Sequence, residues 1–391
     1  MKSKISKRLH TIEKLVKVKE EELEEKNFEK YSYLSVYVAK FFSNSSVLLY
    51  GGQSIDELMP KKLKIYGPTK LPDIDVFAIN PILISKGLVK FLRQNNINTA
   101  SFGPALHEGT YTVYAEGNKV ADITQISKKI FTILTKNSHK GPLGISTVNT
   151  DFIRLSLHMQ LSQPQDARLW PKIFDRLIKF YKVYPPSLNI SYNKIKDITI
   201  PDANNSNSEE RFLRDIFNQR GYVSFSISDI SKITNKKFNE FNIPEYQLLC
   251  DKDILEESLE IIKLSEPIKL TKSIIYESDG IIPRHIFIKK NNVKIACLYE
   301  TEYCLSFIEY SNKRIGTINT ILRMYLCMYL SAYSHFHYDD ENLKTFIDQL
   351  TYLELKSIGS RKRFFNDVLE CYGNQTGVIT LRKEKAIKAK K

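Results

Sequence analysis

The sequence predicts an α/β (α+β) protein, and three observations carry that expectation. Between residues 46 and 146, short apolar runs of strand length alternate with helical segments. From Thr150 the apolar spacing turns helical, with Phe152, Leu155, Leu157 and Leu161, then Trp170, Ile173, Phe174, Leu177 and Phe180. Strand-like runs return at 284–289, 293–299 and 303–310, followed by helices at about 315–333 and 340–355. Ahead of all this, residues 3–42 read as one helix. Ile5, Leu9, Ile12, Leu15 and Val16 lie on one stripe, and Glu20 to Glu25 form a solvated acidic face. The stretch 201–208 is polar and without periodicity, so it reads as a loop between two parts of the chain.

The most informative residues sit in the first α/β stretch. Leu49-Tyr50-Gly51-Gly52-Gln53-Ser54 is followed by Leu71-Pro72-Asp73-Ile74-Asp75-Val76-Phe77 and, later, by Val120-Ala121-Asp122-Ile123. Alternate side chains of a strand share a face, so Asp73 and Asp75 project to the same side. Two carboxylates held that close repel, and a divalent cation between them removes the conflict. Hard oxygen ligands suit Mg²⁺ (or Mn²⁺), and Asp122 from a neighbouring strand completes the three carboxylates of a two-ion phosphoryl-transfer site. Asp73, Asp75 and Asp122 are therefore the expected catalytic and metal-binding residues. Gly51 and Gly52, between a buried strand and a short helix, let backbone N–H groups approach a triphosphate. The spacing is not that of a Walker loop. Ser54 bonds a phosphate or caps its helix, and the residues do not choose between the two.

These blocks resemble the catalytic subunit of the poly(A) polymerases of poxviruses and other large cytoplasmic DNA viruses, within the nucleotidyltransferase superfamily. The resemblance runs through Leu49-Tyr50-Gly51-Gly52, Met59-Pro60-Lys61-Lys62-Leu63-Lys64-Ile65-Tyr66 and Leu71-Pro72-Asp73-Ile74-Asp75. It continues in His107-Glu108-Gly109-Thr110-Tyr111, Val120-Ala121-Asp122-Ile123-Thr124, Asp151-Phe152-Ile153-Arg154-Leu155 and Leu161-Ser162-Gln163-Pro164, with Arg168 to Lys172 and Arg176 behind. It spans roughly residues 47 to 183. The gap from Gly52 to Asp73 is longer than in compact superfamily members, and its lysines have the texture of the viral branch.

The resemblance implies a polymerase-beta-like nucleotidyltransferase domain with flanking helices and a C-terminal degenerate nucleotidyltransferase-like domain without catalytic carboxylates. The corresponding organisation is a helical region at 1–45, a catalytic domain at 46–183, a linker at 184–211, a second domain at 212–375 and a basic tail at 376–391. It also implies ATP and an RNA 3′ end as substrates. The protein partner is either a second copy, giving a homodimer, or a methyltransferase-like processivity subunit. Base selectivity for ATP rests on the resemblance alone. The alternatives are the same fold acting with another nucleotide or acceptor, and a non-catalytic RNA-binding scaffold subunit.

Charge agrees with a polyanionic substrate. The net charge of +14 divides into +12 on residues 1–200, −4 on 201–350 and +6 on 351–391. A basic half around an acidic centre attracts a nucleic acid, although part of the lysine excess reflects the Lys, Asn and Ile abundance of an AT-rich genome. Lys61, Lys62, Lys128 and Arg154 are candidates to meet the phosphates, Arg154 foremost because it sits in an otherwise apolar helix. His107 and Thr110 lie near the site by resemblance, or form a plain turn. Trp170 reads as core. Five scattered cysteines without metal spacing read as reduced thiols. The charged N-terminus carries no leader, and the apolar segment 318–333 contains Arg323 and is too short to span a bilayer. A soluble cytoplasmic protein, in the host cytoplasm or the virion, is the corresponding expectation. The tail 381–391, with six basic residues in eleven, is an RNA-contacting arm or a solubilising end.

Overall fold

The structure is a computed structural model that describes residues 2–71, 74–187, 215–216, 222–236, 238, 243–264, 270–290, 293–301, 303–336, 340–366 and 368–373. Asp73, the expected loop at 201–208 and the basic tail lie outside the described residues. The chain divides into two compact units, Met1–Asn149 and Thr150–Lys391.

The first unit runs α1 (Lys2–Ser43), β1 (Leu48–Tyr50), α2 (Gly51–Leu58), β2 (Ile74–Ala78), α3 (Pro81–Gln94), β3 (Ser101–Pro104), β4 (Thr110–Ala115), β5 (Asn118–Gln125) and α4 (Lys128–Thr135). Its five-stranded sheet has the order β1-β2-β5-β4-β3, and only β2 and β5 run parallel. The alternation in β2 decides which face is which. Ile74, Val76 and Ala78 are buried with Leu88, Val89 and Leu92 of α3 and with Leu34, Val38, Ala39 and Phe42 of α1. Asp75 and Phe77 therefore point to the opposite face. Helix α3 starts where the sequence allows it, with Pro81 in the first turn and the Asn80 side chain accepting from Leu83 N–H at 3.1 Å. Only the last third of α1 joins this core. Its expected stripe of Leu9, Ile12, Leu15 and Val16 is about half exposed or more.

The second unit holds α5 (Thr150–Leu161), α6 (Trp170–Val183), β6 (Val223–Ser224), α7 (Ile227–Thr234), β7 (Tyr246–Cys250), α8 (Lys252–Leu264), β8 (Leu270–Tyr276), β9 (His285–Lys290), β10 (Val293–Glu300), β11 (Leu305–Tyr310), β12 (Lys313–Gly316), α9 (Ile318–Leu330), α10 (Asp340–Lys356) and β13 (Cys371–Tyr372). Its sheet has the order β13-β11-β12-β6-β7-β10-β9-β8. Within it, β6-α7-β7-α8-β8-β9-β10 repeats β1-α2-β2-α3-β3-β4-β5. Chain order and strand order are the same, and the one parallel pair among those five strands is again the second with the fifth.

The repeat fixes which residues share a face. Leu248, Cys250, Ala296 and Leu298 share a core with Leu255 of α8, as Ile74, Val76, Ala121 and Ile123 do beside α3. Alternation and register then put two pairs, Gln247 with Cys297 and Leu249 with Tyr299, on the face where Asp75 and Asp122 pair in the first sheet. All four are fully buried and none is acidic, and the Gln247 amide oxygen accepts from Tyr299 O–H at 2.9 Å. The second sheet thus lacks both carboxylates, as a degenerate copy should.

Helices α5 and α6 group with the second unit, not with the domain at 46–183 that the sequence predicts. Their partners come from far along the chain. His158 contacts Asn319 Oδ1 of α9 at 2.9 Å and Tyr181 O–H at 2.9 Å, and Ser306 N–H donates to the Ser162 carbonyl at 2.9 Å. Trp170 is buried as expected, its indole N–H donating to the Gln160 carbonyl at 3.0 Å. The cysteines require a correction. Cys304 and Cys371 form a disulfide with a Cα–Cα distance of 5.2 Å, while Cys250, Cys297 and Cys327 are free and buried. Pairing of β11 with β13 brings together residues separated by 67 positions, which spacing along the chain does not reveal. No described helix is long and apolar enough to cross a membrane.

Burial lowers the His158 pKa to about 4, the hydrogen bond with Asn319 opposing and the Arg154 charge reinforcing that shift. His285, also fully buried, moves in the same direction to about 4. Unfolding therefore takes up protons between about pH 6.5 and 4. The stability these neutral rings contribute is complete above that window and is lost as pH falls through it, by about 1.4 kcal/mol per pH unit per ring. Urea unfolding of His158→Gln between pH 7 and 4.5 should show a flatter pH dependence than the parent, and parallel curves would refute this assignment.

Candidate active site

Strand register assembles the site. Tyr50 of β1 pairs with Asp75 of β2, Asp75 with Asp122 of β5, and Asp122 with Thr112 of β4. Four side chains thus form one row across the face of the sheet opposite α3. Thr112 O–H donates to Asp122 Oδ1 at 2.5 Å. The next row is a support. Tyr50 stacks on Phe77 with ring centroids 3.9 Å apart, and its hydroxyl meets Thr124 Oγ1 at 2.9 Å, which meets Thr110 Oγ1 at 3.0 Å. Burial, reinforced by the Asp75 charge, pushes the Tyr50 phenol well above its ordinary pKa, so it stays protonated. Thr110 therefore belongs to this network, while His107 is exposed in the turn before it.

Gly51 is needed for two reasons at once. Its φ is +71°, and a Cβ there would stand 3.0 Å from Asp75 Oδ2. The turn from β1 into α2 therefore runs directly against the carboxylate. Gly52 follows inside α2, among the first N–H groups, which have no partner within the helix. Ser54 is fully buried and its hydroxyl donates to the Gly51 carbonyl at 2.8 Å. It therefore does not cap the helix, whose N-cap is Tyr50 without a side-chain cap bond, but bonds back to the carbonyl three residues earlier.

Beyond α2, Lys61 and Lys62 sit exposed on a 3-10 turn, Lys61–Leu63. Lys64 behaves differently. It pairs with Asp56 at 3.3 Å, and Asp56 also accepts from Ile65 N–H at 2.7 Å and Tyr66 N–H at 3.1 Å, fixing the turn.

A cation already stands at the carboxylates. Lys119 Nζ lies 2.9 Å from Asp122 Oδ2 and 3.8 Å from Asp75 Oδ1. Two aligned carboxylates with an ammonium on them are a hard-oxygen donor set that fits a divalent ion. Among the described residues no group of three metal-ligating side chains forms. The expected third ligand, Asp73, is outside them.

Residues 36–167 match the poly(A) polymerase catalytic subunit family. An African swine fever virus protein, provisionally assigned as a poly(A) polymerase catalytic subunit, is 26% identical over 148 residues, which is 38% of this chain and 30% of that protein. A protein of Acanthamoeba polyphaga mimivirus with the same provisional assignment is 24% identical over 178 residues, 42% of this chain and 28% of the relative. The match thus spans less than a third of the length of either relative. The crystal structure of the Megavirus polyadenylate synthase superposes with a TM-score of 0.76 at 20% identity, covering 99% of this chain and 82% of that one. The two chains share one mixed α/β fold.

Arg154, expected to meet phosphates from an otherwise apolar helix, does lie in such a helix, where side chains of the same unit hold it. It lies in α5 of the second unit, 6% exposed, with Nη2 donating to Asp348 Oδ1 at 2.8 Å and Thr351 Oγ1 at 3.0 Å. Asp151 Oδ1 is 3.3 Å from Nη1, and the Tyr181 hydroxyl accepts from Nε at 3.4 Å. These partners occupy the guanidinium, so its place in an apolar helix reflects a buried ion pair rather than a phosphate contact. Lys128 opens α4, exposed behind its Ser127 cap. Lys119, Thr112 and Tyr50 are the residues sequence reasoning missed. No local signal marks Lys119, because in a regular strand a residue three positions ahead of Asp122 would face the other side of the sheet.

Proposed function

We propose that the chain is a template-independent poly(A) polymerase, a polynucleotide adenylyltransferase that adds AMP from ATP to the 3′-hydroxyl of mRNA. The observation that carries this reading is the pairing of Asp75 with Asp122 directly against the Gly51 turn. The family match over residues 36–167 supports it. Asp75 and Asp122, with Asp73, would hold Mg²⁺ or Mn²⁺, two ions in all. Bound there, such ions neutralise phosphate charge and lower the pKa of the attacking hydroxyl.

The chain's own residues do the rest. The Gly51-Gly52 turn offers backbone N–H groups to the triphosphate without side chains in the way. Lys61 and Lys62 supply mobile positive charge for the pyrophosphate that leaves as the 3′-oxygen bonds to the α-phosphorus. Thr112 holds Asp122 in its rotamer, and the Tyr50–Phe77 stack backs Asp75. For the protein partner, a second copy or a methyltransferase-like subunit, we assign the exposed stripe Leu9, Ile12, Val16 and Leu23 of α1. Light scattering of the purified chain separates the two, since only a second copy doubles the mass of the chain alone.

Primer extension tests the activity. A labelled oligoribonucleotide is incubated with Mg²⁺ and each nucleoside triphosphate separately. Long products with ATP alone are expected. Extension with UTP or CTP would move the chain to another tailing activity, and RNA binding without extension would leave a scaffold subunit.

A further inference from the structure

Lys119 does not reach the carboxylates by ordinary strand alternation. It lies three positions ahead of Asp122, so in a regular strand it would face the other side of the sheet. The β4–β5 pairing shifts register between Val113 and Tyr114. Val113 pairs with Ala121, but Tyr114 pairs with Lys119, which leaves Val120 as an extra residue. Both Val120 and Ala121 are buried in the core under α3. The bulge absorbs one side chain on the core face and turns Lys119 onto the face of Asp75 and Asp122. Its ammonium then lies at 2.9 Å from one carboxylate and 3.8 Å from the other, with the lysine side chain 38% exposed.

From this geometry we propose that Lys119 is a built-in placeholder for the divalent ion, a positioning residue that competes with metal for Asp75 and Asp122. The inference rests on the carboxylate site described above. Without metal, the ammonium relieves repulsion between the two carboxylates and keeps their rotamers set. A divalent ion must displace it, because both need the same oxygens. The flexible, partly exposed stem lets it swing into water when that happens. Metal affinity in the parent is consequently weaker than the carboxylates alone would give, and metal entry is coupled to release of one lysine.

The test is Mn²⁺ titration of the full chain followed by electron paramagnetic resonance, at about 0.15 M salt so that remote charges are screened. Lys119→Ala and Lys119→Gln should bind Mn²⁺ roughly three- to tenfold more tightly than the parent, the scale of two partly exposed ion pairs. Lys119→Arg should stay near the parent, as should Lys86→Ala on the far face of α3. A thermal melt gives a second readout that needs no catalysis. The alanine variant should melt lower than the parent in EDTA and gain more from Mn²⁺. Unchanged or weaker Mn²⁺ binding in both Lys119→Ala and Lys119→Gln overturns the placeholder role while leaving the carboxylate site intact. If parent and variants bind no better than an Asp75→Asn/Asp122→Asn protein, the metal-site reading falls with it.

Discussion

Asp75→Asn and Asp122→Asn are each expected to lower nucleotide addition by a factor of about a thousand or more, close to 4 kcal/mol of transition-state stabilisation. The two side chains pair across parallel strands and present their oxygens to one point, where a single cation lies within 2.9 and 3.8 Å of them. Asparagine keeps the shape and removes one charge and one hard ligand. Folding should be nearly unaffected, because each substitution also removes half of a repelling pair. The check is primer extension alongside a urea unfolding curve. A variant that folds like the parent and extends within tenfold of its rate would refute the assignment. The double variant should lose no more than the worse single one, since groups that act as a unit are not additive.

Arg154→Ala carries the largest expected effect on stability, about 3–5 kcal/mol. Asp348 is 2% exposed, and its two oxygens accept from Arg154 at 2.8 Å and from Ser187 N–H at 3.1 Å. Removing the guanidinium leaves that carboxylate buried without its cation, beside Asp151. Neighbouring carboxylates and the Tyr181 hydroxyl hold the Arg154 pKa above its ordinary value although burial opposes this, so the residue stays charged. Denaturant unfolding of Arg154→Ala, Asp348→Asn and the double variant closes a cycle. A strong coupling between the two is expected, with the double variant less damaged than the sum of the singles. Unchanged stability together with a large rise in the KM for ATP would instead restore Arg154 to the nucleotide site.

That contrast shows where sequence reading stops. Arg154 in an apolar helix looks the same in sequence whether it meets a phosphate or a buried aspartate 194 positions away. Ser54 after the glycines reads equally as a phosphate ligand or a helix cap, and its burial and its bond back to the Gly51 carbonyl are visible only in the fold. The Cys304–Cys371 disulfide likewise depends on β11 meeting β13.

The sequence by itself determined the candidate residues of the first unit. Alternation within one strand separates Asp75 from the apolar residues beside it, and the Gly51-Gly52 turn and the strand around Asp122 are equally local signals. It also determined most elements, because apolar period is written residue by residue along the chain. Only the tertiary structure decided what those elements do to one another. Register brought Asp75 to Asp122, the bulge at Val120 delivered Lys119 to both, and strand order placed Gln247, Leu249, Cys297 and Tyr299, none of them acidic, on the equivalent face of the second sheet. The physical reason is that hydrophobic patterning specifies a face, whereas pairing of distant strands and burial of distant charges are set by packing among residues with no regular spacing in sequence.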